Sequence, residues 1–327
     1  MTEVLTGLVG DVGGTNARFA LAHVKDGAVS IDAPANLRAA DYAAGVHAVR
    51  AFLDRLEPAQ RPKLAVIAAA GPIEDGAVEF TNNTAWRFSE RELAGACGLA
   101  AVRLINDFTA QALAIDHFQP RHLRRLGPAG APPPRATAAI LGPGTGFGAA
   151  ARVDDGVSRA ILSGEGGHSG FAPGDEVELE IVRKLMKRFG RVSVERLISG
   201  PGLLNLYQTL AEMGGEPAAC ERPDAVTRAA LEGDRLARSA LMRFCAMLGS
   251  VAGDYALAVG ARGGVYVAGG IAPGIFEALA ESDFRRRFEA KGRMSDYLKP
   301  IPTYVVTAPH AALIGAASQL SSLEAAA

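Results

Sequence analysis

The stretch GDVGGTNARFALAHVKDGAV, residues 10–29, decides how the chain begins to fold. The apolar run LTGLVGD predicts a short strand that ends at Asp11. After the glycine turn, RFALAHV alternates enough to predict a second strand, and the Asp26–Gly27 pair before another apolar run is a strong hairpin signal. The sequence therefore predicts a strand, a tight turn, a strand and a second hairpin, rather than a strand that feeds a helix.

A second stretch, ATAAILGPGTGFGAAARVDDGV, repeats this order of features at residues 136–157. Both stretches run from an apolar strand through a glycine-threonine turn into a second strand, and then reach Asp-Gly and a valine. Two matching hairpins predict two similar domains that arose by duplication. With further strands at 64–71, 101–106, 264–269 and 301–306, and helices near 175–189, 203–213, 224–231 and 234–259, the pattern predicts an α/β architecture of three-layer domains.

Several local signals add detail to this outline. A helix is expected over 41–56, with Asp41 as its cap, and Ser89 with Glu92 forms a capping-box pattern. The segment EDGAVEF predicts a hairpin after the strand at 64–71, and a short helix is expected to start at Ser193. Residues 127–135 have the composition of a linker, and 311–320 are expected to form a final helix.

Bulk composition places the chain among globular proteins without strongly charged partners. The 327 residues are 49% apolar and 21% charged, with a formal net charge of −1. This balance favours neither nucleic acid nor an acidic membrane as a partner, and no signal peptide or membrane-spanning run is predicted. The cysteines at 97, 220 and 245 show no pairing or metal-ligand spacing, so buried free thiols and a cytoplasmic location are expected.

The glycine turns raise the question of phosphate binding. GTGFGA, residues 144–149, matches the dinucleotide fingerprint, and Glu165 lies near the distance expected for a ribose contact. That fingerprint must open a helix, whereas a hairpin is predicted here, and the chain has no P-loop motif. A hairpin turn can still bind phosphate, because its backbone N–H groups and a threonine hydroxyl all donate hydrogen bonds. The alternative is that both hairpins are only tight turns.

Three acidic or imidazole side chains stand in suggestive positions. Asp107 follows a strand and starts a helix, so it is either a helix cap or a ligand-binding group at the carboxyl end of a sheet. Glu165 and His168 lie in SGEGGHSGFAPG, which is too rich in glycine for a helical metal site. One carboxylate and one imidazole on such a loop suit a ligand with hydroxyl groups, or the loop is an ordinary surface loop. Glu195 alone carries no functional information.

Taken together, the chain resembles the bacterial ATP-dependent glucokinase family over nearly its whole length. The strings that carry the resemblance keep that family's order: GDVGGTNARFA, TNNTAW, LINDFTA, GPGTGFG, GEGGHSGFAP, SVERLISGPGL and VYVAGGI. The resemblance implies two duplicated ribonuclease H-like domains of the actin and hexokinase type, with mixed sheets flanked by helices and a cleft between them. It implies a smaller domain of residues 1–118 plus 309–327 and a larger one of 119–308.

The resemblance also implies an activity: transfer of the γ-phosphate of ATP to the 6-hydroxyl of glucose, with Asp107 as the catalytic base. It assigns the sugar hydroxyls to Asn106, Glu165, His168 and Glu195. It assigns the phosphates and the adenosine to Gly10, Asp11, Val12, Gly13, Gly14 and Thr15, to Gly144, Thr145 and Gly146 within residues 142–148, and to Gly269 and Gly270. TNNTAW has one residue more than the family's string, so a sugar contact by Asn82 or Asn83 is not assigned.

An aspartate beside a phosphate turn is explained if Mg²⁺ accompanies the nucleotide, since Mg²⁺ is commonly held by one or two carboxylates and keeps several waters. Asp11 is then expected to hold the metal through water. The resemblance implies a homodimer. The related branch of sugar kinases with a zinc-binding cysteine cluster after the histidine loop is disfavoured by the sequence, because no cysteine follows His168 before Cys220.

Three alternatives remain open. The enzyme could act on mannose, fructose or an amino sugar, and its phosphoryl donor could be polyphosphate. A non-catalytic, sugar-responsive protein on the same fold would be expected to lack the base or to carry a DNA-binding segment. Here Asp107 is present, and the first strand starts too early in the chain to leave room for a helix-turn-helix.

Overall fold

The computed structural model describes residues 4–80, 83–128, 133 and 135–327, without the side chains of residues 83–85. Asn82 and most of the predicted linker at 127–135 therefore lie outside the described residues, as does the side chain of Asn83. The chain divides into two compact units. Unit 1 comprises Met1–Gln119 and Ala308–Ala327, and unit 2 comprises Pro120–Thr307.

Unit 1 is built on a mixed sheet. Its elements up to residue 114 are β1 (Leu5–Val12), β2 (Asn16–Lys25), β3 (Ala28–Ile31), β4 (Ala35–Arg38), α1 (Gly45–Leu53), β5 (Leu64–Ala69), β6 (Ala77–Phe80), β7 (Asn83–Ser89), α2 (Glu90–Cys97), β8 (Ala101–Asn106) and α3 (Asp107–Ala114). The strands are ordered β3-β2-β1-β5-β8, with β4 also pairing with β2 and with β6 and β7 forming a separate ribbon. β1 is antiparallel to β2 and parallel to β5, which is parallel to β8.

Unit 2 contains a second mixed sheet and most of the helices. Its elements are β9 (Leu123–Leu126), β10 (Ala138–Pro143), β11 (Phe147–Asp154), β12 (Arg159–Gly164), α4 (Glu176–Phe189), α5 (Gly200–Gly214), α6 (Pro223–Leu231), α7 (Arg235–Val259), β13 (Val265–Val267), α8 (Phe276–Glu281), α9 (Phe284–Glu289), α10 (Ser295–Leu298) and β14 (Thr303–Val306). The order is β12-β11-β10-β13-β14-β9, with β10, β13 and β14 parallel and β9, β11 and β12 antiparallel to their neighbours.

The two sheets repeat one plan. In each, three consecutive antiparallel strands are followed by two parallel strands added beside the first strand of the three. This arrangement confirms the predicted α/β class with mixed sheets flanked by helices. The two opening hairpins also form as predicted, and Asp26 and Gly27, with φ of 49° and 78°, make the tight turn between β2 and β3.

The end of the chain completes unit 1. After β14 come α11 (Ala311–Ser318) and α12 (Leu320–Glu324). Leu313 and Leu320 are fully buried in a cluster with Val9 and Val66 of the sheet. A β-carbon on Gly315 would lie 1.7 Å from the carbonyl oxygen of Ala110, so this glycine lets α11 touch α3.

The core of unit 2 surrounds α7. This long helix buries Phe244, Leu248 and Ala252 completely, together with residues of β10, β13, α5 and α9. Close helix packing requires glycine at one point, since a β-carbon on Gly249 would lie 2.1 Å from the carbonyl oxygen of Phe284. Unit 2 therefore has a rigid centre behind its sheet.

Some local expectations were wrong. The helix expected over 41–56 begins at Gly45, after a 3-10 turn at Ala39–Asp41, and Asp41 pairs with Arg38 instead of capping it. Ser89 does precede α2, but it makes no side-chain cap bond because it is still paired with Ala77 in the sheet ribbon.

Two further expectations were wrong. Asp75 and Gly76 make a tight turn with φ of 47° and 67°, yet β6 pairs with β7 rather than with β5. The segment after Ser193 forms successive turns, not a helix, because Ser193 bridges Gly170 in an antiparallel pair. Across the described part of the chain, no helix combines the length and the apolar character that crossing a membrane requires.

Candidate active site

The first hairpin turn of unit 1, residues 13–16, has room for a ligand at its tip. The N–H of Gly13 donates to the carbonyl of Asn16 at 2.9 Å, and the carbonyl of Thr15 accepts from the N–H of Ala39 at 2.8 Å. A β-carbon on Gly13 would have no neighbour closer than 3.8 Å. The lack of a side chain at Gly13 is therefore not needed for packing within the chain, and it leaves backbone accessible.

Gly10 has a different reason to be glycine. A β-carbon there would lie 2.9 Å from the ring of Phe19 and 3.1 Å from Ile67. Both neighbours are fully buried. Gly10 is thus required by the core of unit 1, whether or not a phosphate approaches the hairpin.

Asp11 lies opposite Arg18 in the β1–β2 register, and its Oδ2 accepts a hydrogen bond from Nη1 of Arg18 at 3.0 Å. Arg18 also donates to the side chain of Asn36 at 3.1 Å. The Asp11 carboxylate is partly exposed, two residues before the hairpin turn. One carboxylate in this position fits a hydrated Mg²⁺ that keeps most of its waters.

Asn106, not Asp107, caps helix α3. Its Oδ1 accepts from the N–H groups of Phe108 and Thr109 at 2.9 and 3.1 Å, and its Nδ2 donates to the carbonyl of Gly71 at 3.2 Å. Asp107 is the first residue of the helix, partly buried, and its Oδ1 accepts from Phe108 N–H at 2.9 Å. The helix-cap alternative for Asp107 is therefore wrong, because its neighbour fills that role.

The sheet register brings the hairpin turn and Asp107 to one edge of unit 1. Val12 pairs with Ala69, and Ala69 pairs with Asn106. Adjacent strands lie about 4.8 Å apart, so the ends of β1 and β8 are separated by roughly 10 Å. This is the carboxyl end of three parallel strands, where open α/β sheets bind their ligands.

The second hairpin turn, at Gly144–Gly146 in unit 2, is tied to the start of α5. Gly144 donates to the carbonyl of Gly146 at 2.8 Å and accepts from the N–H of Gly200 at 2.9 Å. A β-carbon on Gly144 would meet nothing within 4 Å, whereas one on Gly142 would lie 1.9 Å from the carbonyl oxygen of Ala268. Gly144 therefore faces open space, and Gly142 is needed for packing.

The turn after β13 likewise contains one glycine that packing requires and one that faces open space. Gly269 has a φ of 85°, and a β-carbon on it would lie 2.4 Å from the carbonyl oxygen of Pro143. Gly270 has nothing within 4 Å of its β-carbon position. Gly144 and Gly270 are thus the open positions of this edge.

Unit 2 also holds three of the four side chains predicted to bind sugar. Glu165 directly precedes a 3-10 turn at Gly166–His168, which His168 ends, and both residues are exposed. Glu195 joins them because its N–H donates to the carbonyl of Gly167 at 2.9 Å. Its Oε2 accepts from the N–H of Phe147 at 2.9 Å, which places the carboxylate against the second hairpin.

Arg191 is a residue of this loop that the sequence did not single out. Its Nη1 donates to the carbonyl of His168 at 2.7 Å, while the carbonyl of Ser169 accepts from the N–H of Val194 at 2.9 Å. Nothing in the spacing of the sequence pointed to Arg191. It braces the backbone of the segment that presents His168.

A buried ion pair anchors the far end of the same loop. Glu178 is fully buried, accepts from the N–H of Gly174 at 2.7 Å and receives two hydrogen bonds at 2.8 Å from Arg287. Asp175 caps α4 through the N–H of Glu178 and pairs with Arg243 at 2.9 Å. Burial alone would raise the pKa of Asp175, but the Glu178 N–H and Arg243 outweigh it and hold that pKa below its ordinary value.

Comparison with known proteins gives the family. A family model described as Glucokinase matches residues 8–323. A glucokinase of Caulobacter sp. (strain K31) is 51% identical over 97% of this chain and 95% of its own length. The crystal structure of a glucokinase from an Antarctic psychrotroph is 37% identical, with a TM-score of 0.86 over 97% of this chain and 99% of that one.

A more distant likeness shows the shared fold alone. The structure of a ROK family glucokinase from Streptomyces griseus in complex with glucose and AMPPNP is 19% identical, with a TM-score of 0.63 over 96% of this chain and 98% of that one.

Within the described ranges, no cluster of three or more His, Cys, Asp or Glu side chains is suited to hold a metal ion.

Proposed function

Because the chain belongs to the glucokinase family, we propose that it transfers the γ-phosphate of ATP to the 6-hydroxyl of glucose, with Asp107 as the base. As a member of that family it is a sugar kinase, a phosphotransferase that acts on an alcohol group. Unit 1 supplies the base and the first phosphate turn. Unit 2 supplies the second phosphate turn at Gly144–Gly146, the sugar loop (residues 163–174, which carry Glu165 and His168) and the adenosine-side turn after β13.

The observation that carries the proposal is the shared edge of the sheet in unit 1. The β1–β5–β8 register brings Gly13 and Asp107 to the carboxyl ends of β1 and β8, two parallel strands that lie on either side of β5. A separation of roughly 10 Å between those strand ends leaves space for a terminal phosphate and a sugar hydroxyl in line. Phosphoryl transfer depends mainly on such positioning and on charge stabilisation, with a carboxylate to receive the hydroxyl proton.

Asn106 fixes the position of Asp107. Because Asn106 caps the helix with Oδ1 and fixes itself to Gly71 through Nδ2, the backbone at the next residue is held in place. The second N–H of the Asn106 amide can donate to a sugar hydroxyl. Asn106 therefore both positions the base and takes part in sugar binding.

Sugar selection falls to Glu165, His168 and Glu195. Two carboxylates and an imidazole supply acceptors and a donor for the ring hydroxyl groups. A site that pairs such hydroxyls rejects analogues that lack them by factors on the order of 10⁴, because its own polar groups are then left unpaired. Glu195 links the sugar to the second hairpin, since its carboxylate accepts from Phe147 N–H.

The open glycines 13, 144 and 270 fit the close approach of ATP, while Gly14, Thr15 and Thr145 add donors to the phosphate turns. When bound with the nucleotide, Mg²⁺ would neutralise charge on the phosphate oxygens. Asp11 is the residue that would hold the hydrated ion, with Arg18 fixing the orientation of its carboxylate. A cytoplasmic location and a homodimer complete the proposal on family resemblance, and sedimentation velocity tests the dimer.

The central test is the Asp107→Asn variant in a coupled assay of ATP-dependent glucose phosphorylation. We expect kcat to fall by about 10³-fold or more, because general-base catalysis typically contributes 10²–10⁴-fold. Glucose affinity, measured by calorimetry without ATP, should change by less than about threefold because the amide preserves the shape of the side chain.

The matched control is Asp116→Asn, which removes a carboxylate from the 3-10 turn that follows α3 in the same unit. It should retain wild-type turnover. Turnover by Asp107→Asn within tenfold of wild type would remove Asp107 from the role of base.

A panel of hexoses with ATP and with polyphosphate tests the substrate. Glucose should give the highest kcat/KM, ahead of mannose, fructose and amino sugars. A different preferred hexose would redirect the proposal within the sugar kinases. Binding of glucose without any phosphorylation would favour a non-catalytic, sugar-responsive protein.

A further inference from the structure

Tyr255 of α7 lies directly behind the turn that presents Glu165 and His168. An ideal β-carbon on Gly166 would be 0.9 Å from the Tyr255 hydroxyl oxygen and 2.2 Å from the ring carbon that carries it. The hydroxyl end of Tyr255 therefore occupies the space that any side chain at residue 166 would need. Gly166 is glycine because the tyrosine is there.

The turn at Gly166–His168 is tight, so a support behind Gly166 acts on both flanking side chains. His168 donates its N–H to the carbonyl of Glu165 at 3.0 Å, and Ser169 donates both its N–H and its hydroxyl to the carbonyl of Gly166. A shift of Gly166 would move Glu165 and His168 together. The Tyr255 ring is held from behind by the core of unit 2.

The hydroxyl of Tyr255 also stands within electrostatic reach of Glu165. Burial raises the pKa of the Tyr255 hydroxyl, and the negative charge of Glu165 raises it further. The phenol therefore stays protonated at neutral pH and remains a donor. Tyr255 is only partly buried, so part of the residue stays accessible although it packs against the core of unit 2.

We propose that Tyr255 is a positioning residue for sugar recognition: its hydroxyl end supports Gly166 and thereby sets the placement of Glu165 and His168 toward the ring hydroxyls of the hexose. This proposal rests on the proposed sugar kinase function. It assigns to α7, a core helix far along the chain, an indirect part in substrate selection, through the turn that Tyr255 supports.

The test is Tyr255→Phe, which removes one oxygen atom and keeps the ring. We expect the dissociation constant and the KM for glucose to rise about tenfold, while KM for ATP and the melting temperature stay near wild type. The ratio of kcat/KM for glucose to kcat/KM for mannose should fall. A merely structural role would lower the melting temperature or affect both substrates, so the split between the two KM values is the informative readout.

Tyr297→Phe is the matched control, because Tyr297 also packs on the core of unit 2 and its hydroxyl lies 3.8 Å from the β-carbon position of another glycine, Gly260. It should leave both KM values unchanged. Equal glucose KM in the Tyr255→Phe variant and the wild type would overturn the proposal.

A steric pair gives a second, independent test. Gly166→Ala should weaken glucose binding by tenfold or more, because the methyl group collides with Tyr255. In a Tyr255→Ala background the methyl group no longer meets the tyrosine, so Gly166→Ala should cost little further glucose affinity there, and an equal loss in both backgrounds would count against the contact. Calorimetry of glucose binding keeps the two proposals separate. If the wild-type protein binds glucose without phosphorylating it, the proposed kinase function is wrong, but the glucose affinities of the variants still test the role of Tyr255.

Discussion

The two glycine hairpins share a backbone plan, but the second residue pair before each turn differs. In unit 1 this pair is Asp11 opposite Arg18, joined by an ion pair. In unit 2 it is Gly142 opposite Gly148. The first hairpin therefore carries its own charges, whereas the second carries none at this point.

The difference shows two uses of one duplicated element. In unit 2, the space beside Gly142 is filled by the carbonyl of Ala268, and the nearby carboxylate is brought by Glu195 from another loop. In unit 1, the carboxylate comes from the hairpin itself. We infer that the first hairpin binds the hydrated cation and the phosphates, and that the second hairpin connects its phosphate turn to the sugar loop.

The largest expected effect is a difference in stability between two substitutions, one at a glycine that packing requires and one at a glycine that faces open space. Gly142→Ala should lower the free energy of unfolding by about 3 kcal/mol, because its methyl group meets a backbone oxygen that cannot swing away. Gly144→Ala should change stability by less than about 0.5 kcal/mol, since it meets nothing within 4 Å.

Urea unfolding and ATP kinetics measure the two variants side by side. Gly144→Ala should raise KM for ATP about tenfold, the loss expected from weakening one hydrogen bond to a charged group. Equal stability of the two variants would break the distinction between structural and ligand-facing glycines.

The second prediction concerns whether the ion pair of Asp11 and Arg18 takes part in Mg²⁺ binding. Asp11→Asn should raise the Mg²⁺ concentration for half-maximal activity by about 10- to 100-fold, as is typical when an outer carboxylate of a metal site is lost. Its stability should change by less than about 1 kcal/mol, because the pair is partly exposed.

Asp41→Asn is the control, since Asp41 forms an exposed pair with Arg38 elsewhere in unit 1. Glu195→Gln provides the contrast from unit 2: it should raise KM for glucose and leave the Mg²⁺ dependence unchanged. An unaltered Mg²⁺ titration for Asp11→Asn would assign the ion pair to stability alone.

The smallest effect concerns the charge that pins the sugar loop. The pKa of Asp175 is held below its ordinary value of 3.8, so its contribution to stability is present above that value and is lost as pH falls through the lowered pKa. Asp175→Asn keeps an N-cap acceptor but removes the charge. We expect a loss below about 1 kcal/mol at pH 7.

Unfolding curves recorded from pH 7 to pH 2.5 should show the wild type and Asp175→Asn converging at the acid end. A difference that stays constant over this range would mean that the Arg243 pair does not contribute through charge.

The sequence was most informative where residue chemistry is local. Asp26–Gly27 predicted its hairpin because only a few residue types accept positive φ at both turn positions. The helix cap was harder: both Asn106 and Asp107 are good caps, and only the folded backbone shows that Asn106 takes the place. The gathering of Glu165, His168 and Glu195 followed from family resemblance, not from spacing.

Long-range contacts set the limit of prediction. Ser193 was placed in a helix because its local pattern allows one, but pairing with Gly170 overrides that preference. Tyr255 and Arg191 gave no sequence signal, since their contacts with the sugar loop depend on how α7 and the loop pack. The same holds for Gly10, whose requirement comes from Phe19 across the sheet.

The contact between Gly315 of α11 and Ala110 of α3 has a consequence for biosynthesis. Unit 2 is one continuous segment and has all of its strands before α11 is made. Unit 1 contains residues that are translated before unit 2, yet its sheet is covered on one side by α11 and α12, which are translated after unit 2. On the ribosome, the helix that begins with Asp107 therefore keeps its packing surface uncovered until unit 2 has been translated and α11 has emerged.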